Sequence, residues 1–413
     1  MSLTENELAS IRENPYRADF PLLAGNPGLV YLDSAATSQR PRSVLDAALR
    51  FYETMNANAL RGLYRLSVEA TAATEEARSR IARFIGAADP AEIIFTRNAS
   101  ESLNLAARSL GRLLLGQGDE VVISIMEHHS NLIPWQQICA ERGATLSYLY
   151  LDEDYRISED ELAKISPRAK IVSVTQVSNV LGVANDIAAI AARAHEAGAV
   201  CVVDGAQSVP HIATDVEKLG CDFLAFSGHK MLAPMGIGVL WGTRALLEAM
   251  PPFLTGGEMI DSVSEQGAVW APLPAKFEAG TQNGGGIVAL DEAIAYLEGI
   301  GMAVVERREA LLARALADAL SALPFIDIVG PAEGERHIGS VAFNVRGVHP
   351  HDVASLLDMH TVCIRAGHHC AEPLLKHLGQ NSTCRASVAL YNDASDIDRL
   401  VDGLENVWRV FNG

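Results

Sequence analysis

The chain has 413 residues, 49% of them hydrophobic and 20% charged, which predicts a folded protein with one large and one smaller domain. Its formal net charge of -18 argues against a nucleic-acid-binding protein, and no apolar stretch approaches the ~20 residues of a membrane span. The chain has six cysteines, none of them in a C-x-x-C pair, which predicts reduced thiols. Residues 1–19 lack an apolar signal core, so a cytoplasmic protein is expected.

Helical and extended patterns alternate between residues 70 and 245. In chain order they predict a helix at 75–86, a strand at 92–96, a helix at 101–115, strands at 120–125, 145–150 and 170–176, a helix at 187–197, and strands at 200–204 and 223–227. The strands have few polar interruptions. An α/β fold with a mainly parallel sheet, covered by helices on both faces, is therefore expected.

The last third of the chain has a different pattern. Residues 250–285 are rich in Gly and Pro and are predicted to form a long ordered loop, followed by helices at 287–299 and 303–322. Beyond them lie predicted strands at 340–345, 362–365 and 386–390, and helices at 350–359 and 395–409. We therefore predict a large α/β domain at 31–300 and a small α+β domain at 301–413, with residues 1–30 packing on the small domain.

A lysine follows closely after one of the predicted strands, in the run Ser227-Gly228-His229-Lys230. Open α/β sheets bind ligands at the carboxyl ends of their strands, so the Lys230 side chain is expected in a ligand crevice. A desolvated lysine has a lowered pKa and can form a Schiff base. On this segment alone, a surface lysine at a strand end is the commoner explanation.

A carboxylate ends another apolar strand, in the run Val203-Asp204-Gly205-Ala206-Gln207. A buried Asp needs a cationic partner, and pyridoxal phosphate (PLP) needs an acidic partner for its pyridine nitrogen. Asp204 followed 26 residues later by Lys230 fits one PLP held between neighbouring strands. The alternative for Asp204 is a helix cap or a turn.

Three further strand ends carry polar residues. Ser100 lies where a helix begins after a short strand, a position suited to a phosphate, although an ordinary N-cap by Asn98 or Ser100 is equally consistent. His128 could stack on the PLP ring and shuttle protons, or be a structural histidine. Asn179 could donate a hydrogen bond to the ring oxygen, or be a turn residue.

A cysteine ends the loop Arg365-Ala366-Gly367-His368-His369-Cys370, before a helix predicted to begin near Pro373. A loop thiol near cationic groups is the setting in which a thiol pKa falls, and Gly367 allows the loop to move. His-His-Cys lacks the ligands of a tetrahedral site, so no metal is expected there. Arg385 begins the final strand and could clamp a substrate carboxylate, or form an exposed salt bridge.

Taken together, these runs resemble the SufS-type (group II) cysteine desulfurases, which belong to the class V, fold-type I PLP-dependent enzymes. The resemblance extends from Tyr31-Leu32-Asp33-Ser34-Ala35-Ala36 to Tyr391-Asn392. Its most specific matches are Met126-Glu127-His128-His129, residues 175–182 (TQVSNVLG), Val203-Asp204-Gly205-Ala206-Gln207, Ser227-Gly228-His229-Lys230, Glu278-Ala279-Gly280-Thr281 and residues 365–370.

The resemblance implies a role for each candidate residue. At the cofactor ring it implies Lys230 as the Schiff-base lysine, Asp204 at the pyridinium, Gln207 at the ring hydroxyl and His128 stacked on the ring. At the phosphate it implies Ser100, Ser227 and His229, together with position Ala99. It also implies a homodimer in which Thr281 reaches the phosphate of the other subunit's cofactor. For the substrate it implies Arg385 and Asn179 at the carboxylate and Arg365 beside Cys370.

The implied activity converts L-cysteine to L-alanine, leaves a persulfide on Cys370 and delivers sulfur for iron–sulfur cluster assembly. Lys230 and His128 are the other implied catalytic residues. A selenocysteine lyase, or a PLP-binding scaffold that transfers sulfur with low turnover, are the alternatives. A class V transaminase or a kynureninase-like enzyme fits less well, because neither chemistry needs Cys370.

The sequence departs from the resembled family in several places around the cofactor. Ala99-Ser100 replaces two threonines, Leu60-Arg61-Gly62 replaces His-Arg-Gly, Ala233-Pro234-Met235-Gly236 replaces Gly-Pro-Thr-Gly, and Gln282 replaces a proline. The central residues are retained, so an active enzyme is expected.

The run Val348-His349-Pro350-His351-Asp352 precedes a predicted helix, 19 residues before Cys370. It resembles the branch of the family that passes sulfur to a zinc-bearing, SufU-type acceptor. There the second histidine, here His351, is implied to replace a zinc-bound cysteine of the partner. The alternatives are an exposed His351 without such a role and a zinc-free SufE-type acceptor.

Overall fold

The computed structural model describes residues 3–59, 62–332 and 334–412. Leu60 and Arg61, where the sequence departs from the resembled family, therefore lie outside the described residues. Across these ranges, no helix combines the length and the apolar character that a membrane crossing requires.

The α-helices of the described ranges alternate with strands through most of the chain. The helices are α1 Glu5–Arg12, α2 Pro21–Ala24, α3 Arg42–Thr54, α4 Arg65–Phe84, α5 Ala99–Leu114, α6 Ile133–Arg142, α7 Glu159–Leu162, α8 Ile187–Glu196, α9 Val216–Leu219, α10 Arg244–Ala249, α11 Gly284–Ile300, α12 Met302–Ser321, α13 Pro350–Asp358, α14 Glu372–His377 and α15 Ala394–Asn412. The strands are β1 Val30–Tyr31, β2 Ile93–Thr96, β3 Glu120–Ser124, β4 Thr145–Leu149, β5 Ala169–Thr175, β6 Val200–Asp204, β7 Phe223–Ser227, β8 Gly238–Gly242, β9 Ile260–Val263, β10 Ala268–Trp270, β11 Ile326–Val329, β12 Ser340–Val345, β13 Val362–Cys363, β14 Arg365–Gly367 and β15 Thr383–Ser387.

The largest sheet has seven strands in the order β2-β8-β7-β6-β5-β3-β4. Every pairing from β7 to β4 is parallel, whereas β8 runs antiparallel to both β7 and β2. The inner strands are apolar and buried because helices cover both faces. This confirms the predicted α/β fold with a mainly parallel sheet. The β8 strand was not predicted.

A smaller, four-stranded antiparallel sheet has the order β11-β12-β15-β14. A separate apolar core joins this sheet to α12, α13 and α15. Ile11 of α1 and Val30 of β1 belong to the same core, and β1 pairs in parallel with β13. These contacts support the predicted division at 31–300 and 301–413, with residues 1–30 on the small domain, and the division stays a prediction.

Several boundaries differ from the sequence prediction. The helix predicted at 75–86 begins earlier, at Arg65, and the long loop predicted at 250–285 contains the exposed hairpin β9–β10. The strand predicted at 362–365 is two strands, because β13 pairs with β1 and β14 pairs with β15. The final strand ends at Ser387, not at Leu390, because the Leu390 N–H donates to the Glu309 carboxylate instead of to a strand.

Candidate active site

A cavity of about 210 Å³ lies at the carboxyl ends of β5, β6 and β7 and is closed on another side by β14, β15 and the loop after β14. It brings together residues that are far apart in sequence. The predicted site residues in its wall are Ala99, Ser100, His128, Asn179, Asp204, Gln207, Ser227, His229, Lys230, Arg365, Cys370 and Arg385. Thr281 lies outside this cavity and lines another one with Tyr52.

Lys230 ends a short 3-10 turn, Gly228–Lys230, directly after β7. Burial lowers the pKa of Lys230 to about 8, and the nearby carboxylate of Asp204 opposes this shift. Hydrogen bonds from the Ser38 backbone N–H and hydroxyl to the His229 carbonyl fix the turn. The turn is therefore held in place, and the Lys230 amine is partly neutral near physiological pH, as a nucleophile or a base requires.

Asp204 ends β6, and its side chain is buried in the cavity wall. One carboxylate oxygen accepts a hydrogen bond from the Ala206 N–H at 2.9 Å. Burial raises the pKa of Asp204, so a cation beside the carboxylate would be strongly favoured. A protonated pyridine nitrogen fits this requirement. The Gln207 amide nearby donates to the Ala35 carbonyl at 2.8 Å.

Backbone and hydroxyl groups converge at the start of α5. The helix begins at Ala99, two residues before the predicted start, because the Asn98 side chain caps it by accepting the Glu101 N–H at 3.0 Å. The Ala99 N–H donates to the Ser227 hydroxyl at 2.8 Å, and the hydroxyls of Ser100 and Ser130 are 2.6 Å apart. This group suits a phosphate at a helix N-terminus.

The close fit of this turn depends on a glycine in β8. A Cβ at Gly238 would lie 2.5 Å from the Asn98 Cα, so a larger residue would displace the turn. Burial also lowers the pKa of His229 to about 4, which keeps the imidazole neutral beside the same end of the cavity. Ser130, which sequence reasoning missed, follows His128 and His129 and carried no signal of its own.

His128 lies between β3 and α6 and lines the cavity. Burial, and then the Lys230 charge, lower its pKa to about 3, so the ring is neutral. Because Nδ1 accepts the Ser130 N–H at 3.1 Å, the ring proton lies on Nε2. The imidazole can therefore stack on a cofactor ring and exchange a proton through Nε2.

Glu127 precedes His128 and fixes the loop that carries it. Its buried carboxyl group accepts the Asn131 amide at 2.6 Å, the Thr175 N–H at 2.9 Å and the Ser124 hydroxyl. Burial raises the pKa of Glu127 to about 8, against the effect of these donors. The network ties the loop after β3 to the end of β5. Sequence reasoning assigned no role to Glu127, although it stands in the Met126-Glu127-His128-His129 match.

Cys370 is exposed at the cavity wall, and its backbone has a φ of 55°, in the left-handed region. His369 before it has a φ of 52°. The Asn179 amide donates to the His369 carbonyl and the His129 N–H donates to the Cys370 carbonyl, both at 2.7 Å. The turn is thus held from both sides, whereas the sequence suggested a loop that Gly367 allows to move.

Arg385 is buried beneath this turn, which rules out the alternative of an exposed salt bridge. Its Nη1 donates to the Asn179 carbonyl at 2.9 Å and its Nη2 donates to the Asp33 carboxylate at 3.1 Å. Arg365 is half-exposed and lies 3.8 Å from the same carboxylate. Sequence reasoning missed Asp33, although it stands in the first run that carries the family resemblance.

His351 lies in the first turn of α13, outside the cavity, and is exposed. His349 caps the helix by accepting the His351 N–H at 3.2 Å, and the two rings meet edge to face. A Cβ at Gly367 would lie 3.8 Å from the His351 Nε2. His351 is therefore next to the strand that leads to Cys370.

The Aminotransferase class-V family matches residues 30–400. A probable cysteine desulfurase of Halalkalibacterium halodurans is 50% identical, covering 95% of this chain and 97% of its own. A cysteine desulfurase of Pectobacterium atrosepticum is 46% identical, with coverage of 95% and 97%. The apo structure of a Thermococcus onnurineus cysteine desulfurase superposes with a TM-score of 0.92 at 40% identity, covering 96% of this chain and 99% of that one. The Escherichia coli cysteine desulfurase CsdA gives 0.87 at 38% identity, with coverage of 96% and 98%.

Proposed function

Because this chain belongs to the aminotransferase class-V family, we propose that it is a cysteine desulfurase, which converts L-cysteine to L-alanine and retains the sulfur on Cys370. One observation carries the proposal: Lys230, Arg385 and Cys370 line one cavity of about 210 Å³. An amine, a guanidinium and a thiol at one site are the groups this reaction needs. Relatives that are 44–50% identical bear the same activity in their names.

The cofactor is pyridoxal 5'-phosphate, which supplies an electron sink for the charge that develops at the substrate α-carbon. When the cofactor is bound, Lys230 would hold it covalently and Asp204 would pair with the pyridinium. His128 would stack on the ring and Gln207 would contact the ring hydroxyl. The start of α5, with Ser100, Ser227 and His229, would receive the phosphate.

The substrate reaction follows from the side chains present. Arg385 binds the carboxylate of cysteine, and Lys230 removes the α-proton. The Cys370 thiolate then attacks the substrate sulfur, so an S–S bond forms as the C–S bond breaks. The electrons of the C–S bond stay on the β-carbon, which takes up a proton, and Lys230 returns the α-proton to the α-carbon. Cysteine and the enzyme thiol thus give alanine and the enzyme persulfide.

An assay of the purified protein with PLP and L-cysteine tests this function. Alanine and reducible sulfur should appear in equal amounts. Cofactor binding without alanine formation would instead indicate the sulfur-transfer scaffold, and a strong preference for selenocysteine would indicate the lyase.

We also propose that the protein acts as a homodimer. Exposed apolar side chains lie on two helices that both pack against α11, with Leu45, Leu49 and Tyr52 on α3 and Val68 on α4. Tyr52 and Thr281 line the same cavity beside this face. A second copy that covers the face would bring each Thr281 toward the partner's active site.

Replacing Leu49 by arginine is expected to dissociate the dimer, because the side chain is 56% exposed on this apolar face and a buried charge there is costly. Sedimentation velocity measures the change in mass. The control is Val410→Arg, at a side chain that is 61% exposed on α15. A Leu49→Arg variant that sediments like wild type would show that α3 is not the interface.

The persulfide sulfur, in our proposal, passes to a SufU- or SufE-type acceptor protein for iron–sulfur cluster assembly in the cytoplasm. The six cysteines are all free thiols, which agrees with a reducing compartment. His351 supports an acceptor that bears zinc, because this exposed imidazole lies beside the strand leading to Cys370.

A His351→Ala variant should retain the basal release of sulfide in the presence of a reductant and lose its stimulation by a zinc-containing acceptor. The expected loss is most of the stimulated rate, since the imidazole would exchange with a zinc ligand. His195→Ala, at an exposed histidine on α8, is the control. Equal stimulation of the His351 variant and wild type would point to a zinc-free acceptor.

A further inference from the structure

Two arginines stand directly opposite each other at the wall of the active-site cavity. Arg365 of β14 and Arg385 of β15 are paired residues of an antiparallel ladder. Like charges in such a position repel each other, and Arg385 is only 3% exposed, so water screens its charge poorly. A carboxylate from elsewhere in the chain is needed to stabilise this pair.

Asp33 supplies that carboxylate from the N-terminal part of the chain. It follows β1 and bridges in parallel to Ser387, the last residue of β15. Its Oδ1 accepts a hydrogen bond from Nη2 of Arg385 at 3.1 Å, and its Oδ2 lies 3.8 Å from Nη1 of Arg365. One carboxylate thus contacts both guanidinium groups.

The contacts of Arg385 also fix the direction of its guanidinium plane. Nη1 is held by the Asn179 carbonyl and Nη2 by Asp33, while Nε has no hydrogen-bond partner within the described part of the chain. A planar guanidinium with two anchored nitrogens keeps its remaining N–H groups in one orientation. The two arginines and Asp33 together carry a net positive charge of one, which matches one bound carboxylate.

We propose that Asp33 is a positioning residue for substrate binding: it holds the Arg385 guanidinium in the orientation that receives the substrate carboxylate. This inference rests on the proposed function, since it takes Arg385 as the carboxylate-binding residue. Asp33 itself does not touch the substrate. Loss of its carboxylate should therefore weaken binding of amino acids and leave binding of simple amines unchanged.

The test uses the PLP-loaded enzyme and two ligands, L-alanine and ethylamine, which differ by the carboxylate. The change in cofactor absorbance gives the Kd of each. Asp33→Ala is expected to raise the Kd of L-alanine at least about tenfold, the loss expected for one hydrogen bond between charged groups, with no change for ethylamine. Asp33→Asn keeps an oxygen acceptor and should give a smaller increase. With L-cysteine, KM should rise more than kcat falls.

A double-mutant cycle of Asp33 and Arg385 distinguishes a positioning role of Asp33 from a general disturbance of the active site. In an Arg385→Ala background, Asp33→Ala should change the Kd of L-alanine less than twofold, because the group that Asp33 holds is gone. An equal increase for ethylamine and L-alanine, or additive effects of the two substitutions, would overturn the proposal. So would an Asp33→Ala enzyme with the wild-type Kd for L-alanine.

The same experiment distinguishes this inference from the proposed function. If Arg385→Ala leaves L-alanine binding unchanged, the assignment of Arg385 to the substrate carboxylate is wrong. If Arg385→Ala weakens binding and Asp33→Ala does not, only the role of Asp33 is wrong. Thermal unfolding of each variant verifies that the compared proteins are folded. If Asp33→Ala does not fold, the Kd values are compared with those of Asp33→Asn instead.

Discussion

Replacing Lys230 by alanine should abolish the covalent attachment of PLP and lower kcat by at least about 10³-fold, because in the proposed mechanism the same amine would anchor the cofactor and remove the α-proton. Borohydride reduction followed by peptide mapping measures the attachment. In the wild-type protein the label should lie on the peptide that contains Lys230. In the Lys230→Ala variant no peptide should carry it.

Lys276 provides a matched control, because burial lowers its pKa as well. Its ammonium donates to the Leu247 and Glu248 carbonyls, and it does not line the active-site cavity. Lys276→Met should therefore retain both the label and the activity of the folded enzyme. A label on a lysine other than Lys230 in the wild-type protein would contradict the assignment.

The lowered pKa of Lys230 predicts how the rate of PLP attachment depends on pH. Only the neutral amine attacks the cofactor aldehyde, and the neutral fraction rises as pH passes through the pKa. For PLP-free protein mixed with PLP, the rate of covalent attachment should increase with pH and level off above about 8. An ordinary lysine would continue to gain reactivity to about pH 10.4. A rate still rising steeply at pH 10 would show that burial does not tune this amine.

Replacing Cys370 by alanine should stop both persulfide and alanine formation, with a loss on the order of 10³-fold or more, while the cofactor spectrum stays unchanged. In the proposed mechanism the thiol would supply the sulfur that attacks the substrate, and it is not among the residues proposed to hold PLP. Mass spectrometry of the protein after incubation with L-cysteine detects one added sulfur atom in the wild type. The alanine assay measures turnover.

The control for this substitution is Cys363→Ala. Cys363 is half-buried in β13, and it is absent from the cavity wall. The Cys363→Ala protein should still gain one sulfur atom after incubation with L-cysteine and should form alanine at the normal rate. Undiminished alanine production by Cys370→Ala would show that the reaction does not need the thiol, which is the behaviour expected of a selenocysteine lyase.

Local sequence was sufficient to predict the parallel part of the central sheet and the acid and the amine at the carboxyl ends of its strands, but not β8. Apolar runs that end in Asp204 and Lys230 predict neighbouring parallel strands, and parallel strands place their carboxyl ends at one edge. The chemistry of both residues follows from this placement, because burial raises the pKa of an acid and lowers that of an amine. The structure confirms the fold and places both side chains in one cavity.

Other features were decided only by tertiary contacts. The apolar run at 386–390 predicts a strand, but β15 ends at Ser387 because the Leu390 N–H pairs with Glu309 of α12. Asp33 contacts Arg385 across 352 residues of sequence. The anchors of the Cys370 turn, Asn179 and His129, follow β5 and β3 of the seven-stranded sheet, whereas the turn itself follows β14 of the smaller sheet. Periodicity and strand ends report which face of an element is buried. They carry no information about which distant residue will meet it, because that depends on how the two sheets pack together.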